Sequence, residues 1–157
     1  MCDYSLHVFP NRLAVNEEEL VVHRFGGTSL GLASRLDLDL QVPPPKGHGS
    51  LWTRMKAWFE VQSRLNAPIP AVCVPPGARL LLRDIPKNLQ RELGVGGFEE
   101  VDFTEISADV NTYRDALRFS NGRQVLLQAL REGQRVTVLS LDPVENEEKR
   151  WLPLAVR

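Results

Sequence analysis

The residues of this chain best suited to covalent or metal chemistry are its two cysteines and three histidines. Cys2 directly follows Met1, and removal of Met1 would leave a terminal amine beside a thiol, the arrangement used by N-terminal nucleophile hydrolases. Thiol and imidazole groups are also zinc ligands, and Cys2, His7 and His23 supply three of them. Two hypotheses follow: a small hydrolase or transferase that uses Cys2, and a metal-binding protein that uses Cys2, His7 and His23.

A strand predicted at the start of the chain argues against both hypotheses. Residues 4–9 alternate in the manner of a β-strand, which places Cys2 on the same face as Leu6 and Val8. A cysteine on such a face behaves as a small buried hydrophobe. His7 then points to the opposite face, about 16 Å along the strand, too far from Cys2 to share an ion. We therefore expect a buried Cys2, no catalytic residue, no metal and no cofactor.

The other motifs that suggest catalysis are weak. The stretch FGGTSLG (25–31) has the glycines of a phosphate-binding loop, but it lacks the Gly-Lys-Ser/Thr that completes one, and a strand is predicted to follow it. A β-turn is the better interpretation. Carboxylates at 37–39 and 99–102 alternate with apolar residues, as on a solvated strand face. The sequence therefore favours a protein that is not an enzyme.

Composition narrows the class of protein. A length of 157 residues with 43% apolar and 25% charged residues is typical of one soluble globular domain, spanning 1–157. The net charge of -1 creates no general attraction to nucleic acid. No apolar run is long enough to cross a bilayer, and no secretory signal precedes the domain. Cys2 and Cys73 form no C-x-x-C pair and are expected as reduced thiols, so we predict a cytoplasmic protein.

Short alternating or apolar runs bounded by turn residues predict further strands at 20–25, 29–34, 36–42, 71–74, 75–86 and 98–106. Asn121-Gly122 predicts a hairpin with a type I′ turn, and residues 135–141 extend it to a three-strand meander. A short helix is predicted over 87–94, ending at Gly94. About eight to ten short strands predict a mainly β fold, an antiparallel barrel or sandwich with one inserted amphipathic helix.

The inserted helix is predicted over 50–65, after a connector rich in proline and glycine at 41–50. Its large apolar residues fall within one arc of about 140°, with basic residues at the edges. The arc is expected to cover the open end of the barrel, to dock on another protein or to lie on a membrane surface. The protein-binding hypothesis assigns the contact to Trp52, Arg54, Met55, Trp58 and Phe59. Further on, ENEEKRWLPLAVR (145–157) starts charged and finishes apolar, and we expect Trp151 and Leu152 to tie it down.

Several stretches resemble a group of short bacterial proteins that begin with MCDYSL: MCDYSL itself, NRLAV, ELVVHRF, AVCVPPGARLLLRDIP, RDALRFSNGR and REGQRVTVLSL. They cover less than half of the chain, and the tryptophan-containing helix lies outside them. The resemblance implies a bacterial, intracellular origin but no activity, cofactor or catalytic residue. We therefore predict a non-enzymatic binding or accessory module that contacts a partner protein through 50–65.

Overall fold

The computed structural model describes residue 6, residues 8–41, residue 52, and residues 55–56, 68–106 and 113–142. These residues form nine strands: β1 (Asn11–Leu13), β2 (Glu19–Phe25), β3 (Ser29–Ser34), β4 (Ala71–Cys73), β5 (Arg79–Leu82), β6 (Glu99–Glu105), β7 (Asp115–Phe119), β8 (Gln124–Leu126) and β9 (Arg135–Ser140). The same residues include two short α-helices, α1 (Arg35–Leu40) and α2 (Lys87–Leu93), and a 3-10 turn at Leu127–Ala129. Within this part of the chain, no helix combines the length and apolar character that a membrane crossing requires.

Seven strands form one antiparallel sheet in the order β3-β2-β9-β5-β6-β7-β8, and β1 and β4 form a separate parallel pair. Because side chains alternate along a strand, every second residue of the large sheet points to a shared apolar interior. Its main contributors are Leu20, Val22, Leu80, Leu82, Val101, Phe103, Leu117, Phe119, Val136 and Val138. The prediction of a mainly β antiparallel fold is confirmed.

The two edge strands of the large sheet, β3 and β8, form no main-chain ladder with each other. A side chain from the turn after β8 makes the hydrogen bonds to β3 instead. The 3-10 turn that follows β8 lies against β3. There the Gln128 carboxamide accepts a hydrogen bond from the Leu30 N–H at 2.9 Å and donates one to the Leu30 carbonyl at 2.6 Å. One amide thus satisfies both main-chain groups of a buried residue of β3, as a neighbouring strand would.

The β1/β4 pair packs beside β3 and forms a second, smaller core with Leu6 and Phe25. Leu6 lies directly over the backbone of Gly31, where an added Cβ would come within 2.6 Å of the Leu6 Cδ1 atom. The glycine of β3 therefore provides the space that Leu6 occupies, and it anchors the beginning of the described chain on the sheet.

The strand predicted over 4–9 is wrong where the structure describes it. Leu6 lies in a 3-10 turn and is 2% exposed, whereas Val8 lies in a turn and is 85% exposed. The Phe9 N–H closes this turn on the Leu6 carbonyl. The alternation that placed Leu6 and Val8 on one face thus does not exist, and the predicted position of Cys2, which lies outside the described residues, loses its support.

The strand predicted over 36–42 is also wrong, because residues 35–40 form α1. Leucine and aspartate alternate here with a period of two, but the same run also places like residues four apart, as one face of a helix requires. Leu36 and Leu40 share one side, and Arg35 and Asp39 form an ion pair at 3.5 Å. Leu36 and Leu40 are consequently exposed, whereas Leu38 packs against the smaller core.

The Asn121-Gly122 hairpin is confirmed, but the type I′ turn is wrong. Gly122 has a positive φ of 81° and Asn121 does not. The Phe119 N–H bonds to the Arg123 carbonyl, so the loop has three residues, with glycine at the left-handed position. Asn121 has another role, since its side-chain amide donates to the Leu93 carbonyl at the end of α2.

The predicted three-strand meander does not form. After β8 the chain leaves the sheet through the 3-10 turn, and β9 pairs with β2 and β5 in the middle of the sheet. Both edges of β9 are therefore occupied by strands distant in sequence, which no local turn signal encodes.

The remaining element predictions agree with the described residues. Strands are present at β2, β3, β4, β5 and β6, and α2 ends at Gly94, whose φ is 67°. Trp52, Met55 and Lys56 are helical, as predicted for 50–65. The other residues of the predicted helix and connector residues 42–50 lie outside the described residues, as does the segment 145–157.

Candidate functional site

The predicted contact helix presents apolar side chains to solvent at the positions the structure describes. Trp52 is 73% exposed and Met55 is 49% exposed. Both residues are helical, and they are three positions apart, the spacing at which side chains share one face of the helix predicted over 50–65. Arg54, Trp58 and Phe59, the other predicted contact residues, lie outside the described residues.

A second exposed apolar surface surrounds α1, where the sequence predicted a buried strand face. Val15 and Leu36 line a cleft of about 430 Å³ between the β1–β2 connection and α1. Leu13 and Leu40 are also exposed on these two segments. Sequence reasoning missed this surface, although the four-residue spacing of Leu36 and Leu40 is a helical signal.

The base of this region is held by an ion-pair network around Arg12. The Arg12 guanidinium donates two hydrogen bonds to the Glu18 carboxylate, with Nη1 at 3.2 Å from Oε2, and lies 3.5 Å from Asp37. Glu18 also accepts the Val15 N–H at 3.0 Å and a hydrogen bond from Ser34. The network therefore joins β1, the start of β2 and α1.

Burial acts to raise the pKa of Glu18, but the hydrogen bonds from Arg12 and Val15 and the charge of Arg12 outweigh it, so its pKa lies below the ordinary value. The Glu18 hydrogen bond raises the pKa of Arg12. Both groups are thus charged at neutral pH and bonded to each other. A carboxylate whose oxygens are engaged in this way, and whose pKa is lowered, is a weak proton acceptor, so we assign Glu18 a structural role.

The second cysteine is not a reduced thiol. Cys73, buried at the end of β4, is disulfide-bonded, so the prediction of free thiols is wrong at this position. The only other cysteine of the sequence is Cys2, which lies outside the described residues. Cys2 is therefore the partner expected within the chain, and a thiol in a disulfide cannot act as a nucleophile or a zinc ligand.

We expect the unreduced chain to weigh about 2 Da less than the reduced chain, because the disulfide lacks two hydrogens. Cys2→Ser and Cys73→Ser should each abolish this difference and destabilise the fold by about 4 kcal/mol, the chain-entropy value for a loop of about 70 residues. Intact mass spectrometry and thermal unfolding measure both effects. Uptake of two alkyl groups by the unreduced, denatured wild type would contradict the pairing.

His23 lies on the outer side of β2, where its ring packs edge-on against Phe25 with a centroid distance of 4.9 Å. Burial lowers the pKa of His23, although the charge of Glu132 opposes the shift, so the imidazole is neutral at pH 7. Among the residues the structure describes, no group of three or more histidine, cysteine, aspartate or glutamate side chains could hold a metal ion. Cys2 and His7 lie outside that part, so the metal hypothesis stays a prediction.

The glycine-rich stretch 25–31 forms the turn between β2 and β3, as predicted. Gly26 and Gly27 both have positive φ, and a Cβ on Gly26 would come within 2.7 Å of the Phe9 ring. The expectation that the chain contains no G-x-S-x-G pattern of hydrolases is wrong, because Gly27 to Gly31 (GTSLG) match it. Ser29, its central residue, is buried and pairs with Phe25 in the ladder. A nucleophile elbow needs a turn from strand to helix at the serine, whereas here a strand begins.

Compared with known proteins, the chain matches no family model, no curated protein and no solved structure.

Proposed function

We propose that this chain is a non-enzymatic binding module or accessory subunit that contacts another protein through the helix carrying Trp52 and Met55. The exposure of Trp52 is the observation that carries the proposal. Tryptophan is among the residue types most enriched at the energetic centres of protein interfaces. An indole in water beside an exposed thioether is stabilised when a partner covers it.

The residues around this helix agree with the same proposal. Lys56 is exposed next to Met55, and the sequence places Arg54 beside them, so the apolar surface has a basic border. Apolar contacts supply binding energy at the centre of an interface, and charged residues at its rim set orientation. The net charge of -1 gives no support to nucleic acid as the partner.

The alternatives have less support. A hydrolase or transferase that uses Cys2 needs a free thiol, and the disulfide at Cys73 leaves Cys2 as its expected partner. A metal site built from Cys2, His7 and His23 needs the same thiol. Bacterial origin and cytoplasmic location are parts of the proposal and are supported by the resemblance. The disulfide at Cys73 gives the cytoplasmic location no support, because disulfides are rare in that compartment.

We expect the double change Trp52→Ala/Met55→Ala to leave the free energy of unfolding within about 0.5 kcal/mol of wild type, because both side chains are solvent-exposed. The same variant should retain a specific partner at least about tenfold less, as loss of a hot-spot aromatic does. The matched control is Phe98→Ala, which removes an aromatic side chain that is also 73% exposed but lies in the loop after α2.

The measurement is quantitative mass spectrometry of proteins retained from the host lysate, together with chemical denaturation. A partner kept by wild type and by the Phe98 variant but lost by the double variant supports the proposal. A loss of several kcal/mol in stability would show that the helix is part of the core. Retention of every partner at wild-type levels would equally refute the proposal.

A further inference from the structure

The cleft beside α1 is both apolar and acidic. It is lined by Val15, Asn16, Glu17, Glu18, Glu19, Arg35, Leu36 and Asp39. Four of these residues carry a carboxylate and one a guanidinium. Arg12 neutralises Glu18, and Arg35 pairs with Asp39. Glu17 and Glu19 therefore remain as exposed charges beside the apolar side chains.

The described chain leaves the fold at the edge of this cleft. The Leu141 N–H donates to the Asn16 side-chain oxygen at 3.0 Å, and Asn16 is one of the lining residues. From Leu141 to Lys149 there are eight residues, which can span at most about 29 Å. The residues from Lys149 onward are thus tethered within reach of the cleft.

Residues 149–157 are basic and apolar, and the cleft is acidic and apolar, so the two are complementary in charge and in hydrophobicity. Residues 149–157 read KRWLPLAVR, with three cationic and no anionic side chains. The apolar residues Trp151, Leu152, Leu154 and Val156 lie between the basic ends. Cations next to an apolar run match a surface where exposed carboxylates border Val15 and Leu36. Pro153 favours an extended backbone, which suits an open cleft better than a helix does.

We propose that segment 149–157 of the same chain docks in the cleft between the β1–β2 connection and α1, with its apolar residues on Val15, Leu36 and Leu40 and its cations near Glu17 and Glu19. The short tether makes the docking intramolecular, with an effective concentration in the millimolar range, so individually weak contacts are sufficient. The segment thereby covers an apolar surface that the sheet itself leaves open, and it competes with any external basic peptide for that surface. This inference is independent of the function proposed for the tryptophan-containing helix.

The test reverses the charges on the cleft and on the segment and measures the rate of cleavage by chymotrypsin. This protease cuts after Trp151 and releases residues 152–157. In the wild type this cut is expected to be slow. Glu17→Lys/Glu19→Lys should accelerate it about tenfold, since repulsion replaces two exposed ion pairs. Lys149→Glu/Arg150→Glu should accelerate it similarly, and the protein carrying all four changes should return to the slow rate.

The matched control is Glu92→Lys/Glu100→Lys, which alters net charge equally at exposed positions on α2 and β6 and should leave the rate unchanged. Thermal unfolding confirms that each variant is folded. Equal cleavage rates in the wild type and Glu17→Lys/Glu19→Lys would overturn the proposal. Protection that rises with protein concentration would also overturn it, because the occupant would then belong to a second copy.

A second readout uses the free peptide KRWLPLAVR with a fluorescent label. The Lys149→Glu/Arg150→Glu protein, whose own segment no longer competes, should bind this peptide at least about tenfold more tightly than wild type does. Equal affinity of the two proteins would contradict occupation of the cleft by the tethered segment.

Discussion

Gln128→Glu is expected to lower the free energy of unfolding by about 3 kcal/mol at pH 7. The wild-type amide both accepts from the Leu30 N–H and donates to the Leu30 carbonyl. The introduced carboxylate could still accept the hydrogen bond from the Leu30 N–H, but it has no hydrogen to donate to the Leu30 carbonyl. One carboxylate oxygen would then face the carbonyl oxygen of Leu30, a buried residue of β3, across the seam between β3 and β8. Removing one partner of a buried hydrogen bond costs about 1–3 kcal/mol, and oxygen–oxygen repulsion adds to this cost.

The effect of Gln128→Glu should depend on pH with a defined sign. Repulsion by the Leu30 carbonyl raises the pKa of the introduced acid in the folded state above its unfolded value of about 4.3. An acid with a raised folded pKa destabilises the protein as pH rises. The deficit relative to wild type should therefore be small near pH 4, where the protonated acid can donate to the carbonyl, and should grow toward pH 7.

Urea denaturation of both proteins at several pH values measures this deficit. Gln124→Glu is the control, because Gln124 is an exposed residue of the adjacent strand β8 and its replacement should change stability by less than about 0.5 kcal/mol. A deficit that is the same at pH 4 and pH 7 would show that the amide does not bridge the seam.

Arg12→Met is expected to destabilise the protein by about 2 kcal/mol at pH 7. The Glu18 side chain is only 8% exposed, and loss of Arg12 leaves its charge without an opposite charge, held only by the hydrogen bonds from Val15 and Ser34. Breaking a fully buried pair costs about 3–5 kcal/mol, and the partial exposure of Arg12 reduces this figure through solvent screening. Methionine retains much of the apolar volume of the arginine side chain. The decrease in the free energy of unfolding therefore measures the loss of the Arg12 charge and not a loss of packing.

The pH dependence separates this loss from a packing defect. In the wild type, the folded pKa of Glu18 is lowered, so its stabilisation is present above the unfolded pKa and is lost as pH falls through the folded value. Without Arg12, the two contributions of Arg12 that lower the pKa of Glu18, its hydrogen bond and its charge, are lost while burial still acts to raise it, so Glu18 is protonated at a higher pH than in the wild type and protonation relieves the penalty. The deficit of Arg12→Met should therefore shrink as pH falls from 7 toward 4.

Denaturation at low and neutral pH, with Arg24→Met as control, tests this prediction. Arg24 pairs with Glu132 at 3.2 Å, but both side chains are more than 40% exposed, so its loss should cost less than about 0.5 kcal/mol. If Arg12→Met and Arg24→Met had equal effects, the Arg12 network would not join β1 to α1.

Local signals in the sequence were sufficient for much of the fold. The run 29–34 became β3 with the predicted bounds, because a glycine turn precedes it and all six of its residues pair with β2. Gly94 ended α2 because it adopts the left-handed conformation that glycine favours. The Asn-Gly hairpin formed because Gly122 supplies positive φ, although only one of its two turn residues needed it.

The failed predictions depended on contacts between distant residues. The Leu-Asp alternation at 36–40 suits a strand or a short helix, and helix α1 places Asp37 beside Arg12. The sequence predicted that Cys2 and Val8 lie on the same buried face of a strand over 4–9. That strand does not form at Leu6, because Leu6 lies in a turn and packs onto Gly31. No local pattern indicated that β9 would pair with β2 and β5. Strands pair through main-chain groups that every residue type carries, so the side chains of a strand do not identify its neighbours.

The amino-acid sequence alone determined the mainly β class of the molecule, the positions of β2 to β6 and of α2, and the helical conformation of Trp52 and Met55. Hydrophobic periodicity and turn-forming residues determine local structure over a few neighbouring positions, so the amino-acid sequence alone reveals them. The tertiary structure alone decided that Gln128 bridges two strands, that Cys73 is disulfide-bonded and that an acidic, apolar cleft opens beside α1. Each of these features joins residues far apart in the chain, and only the folded path of the backbone sets which distant groups meet.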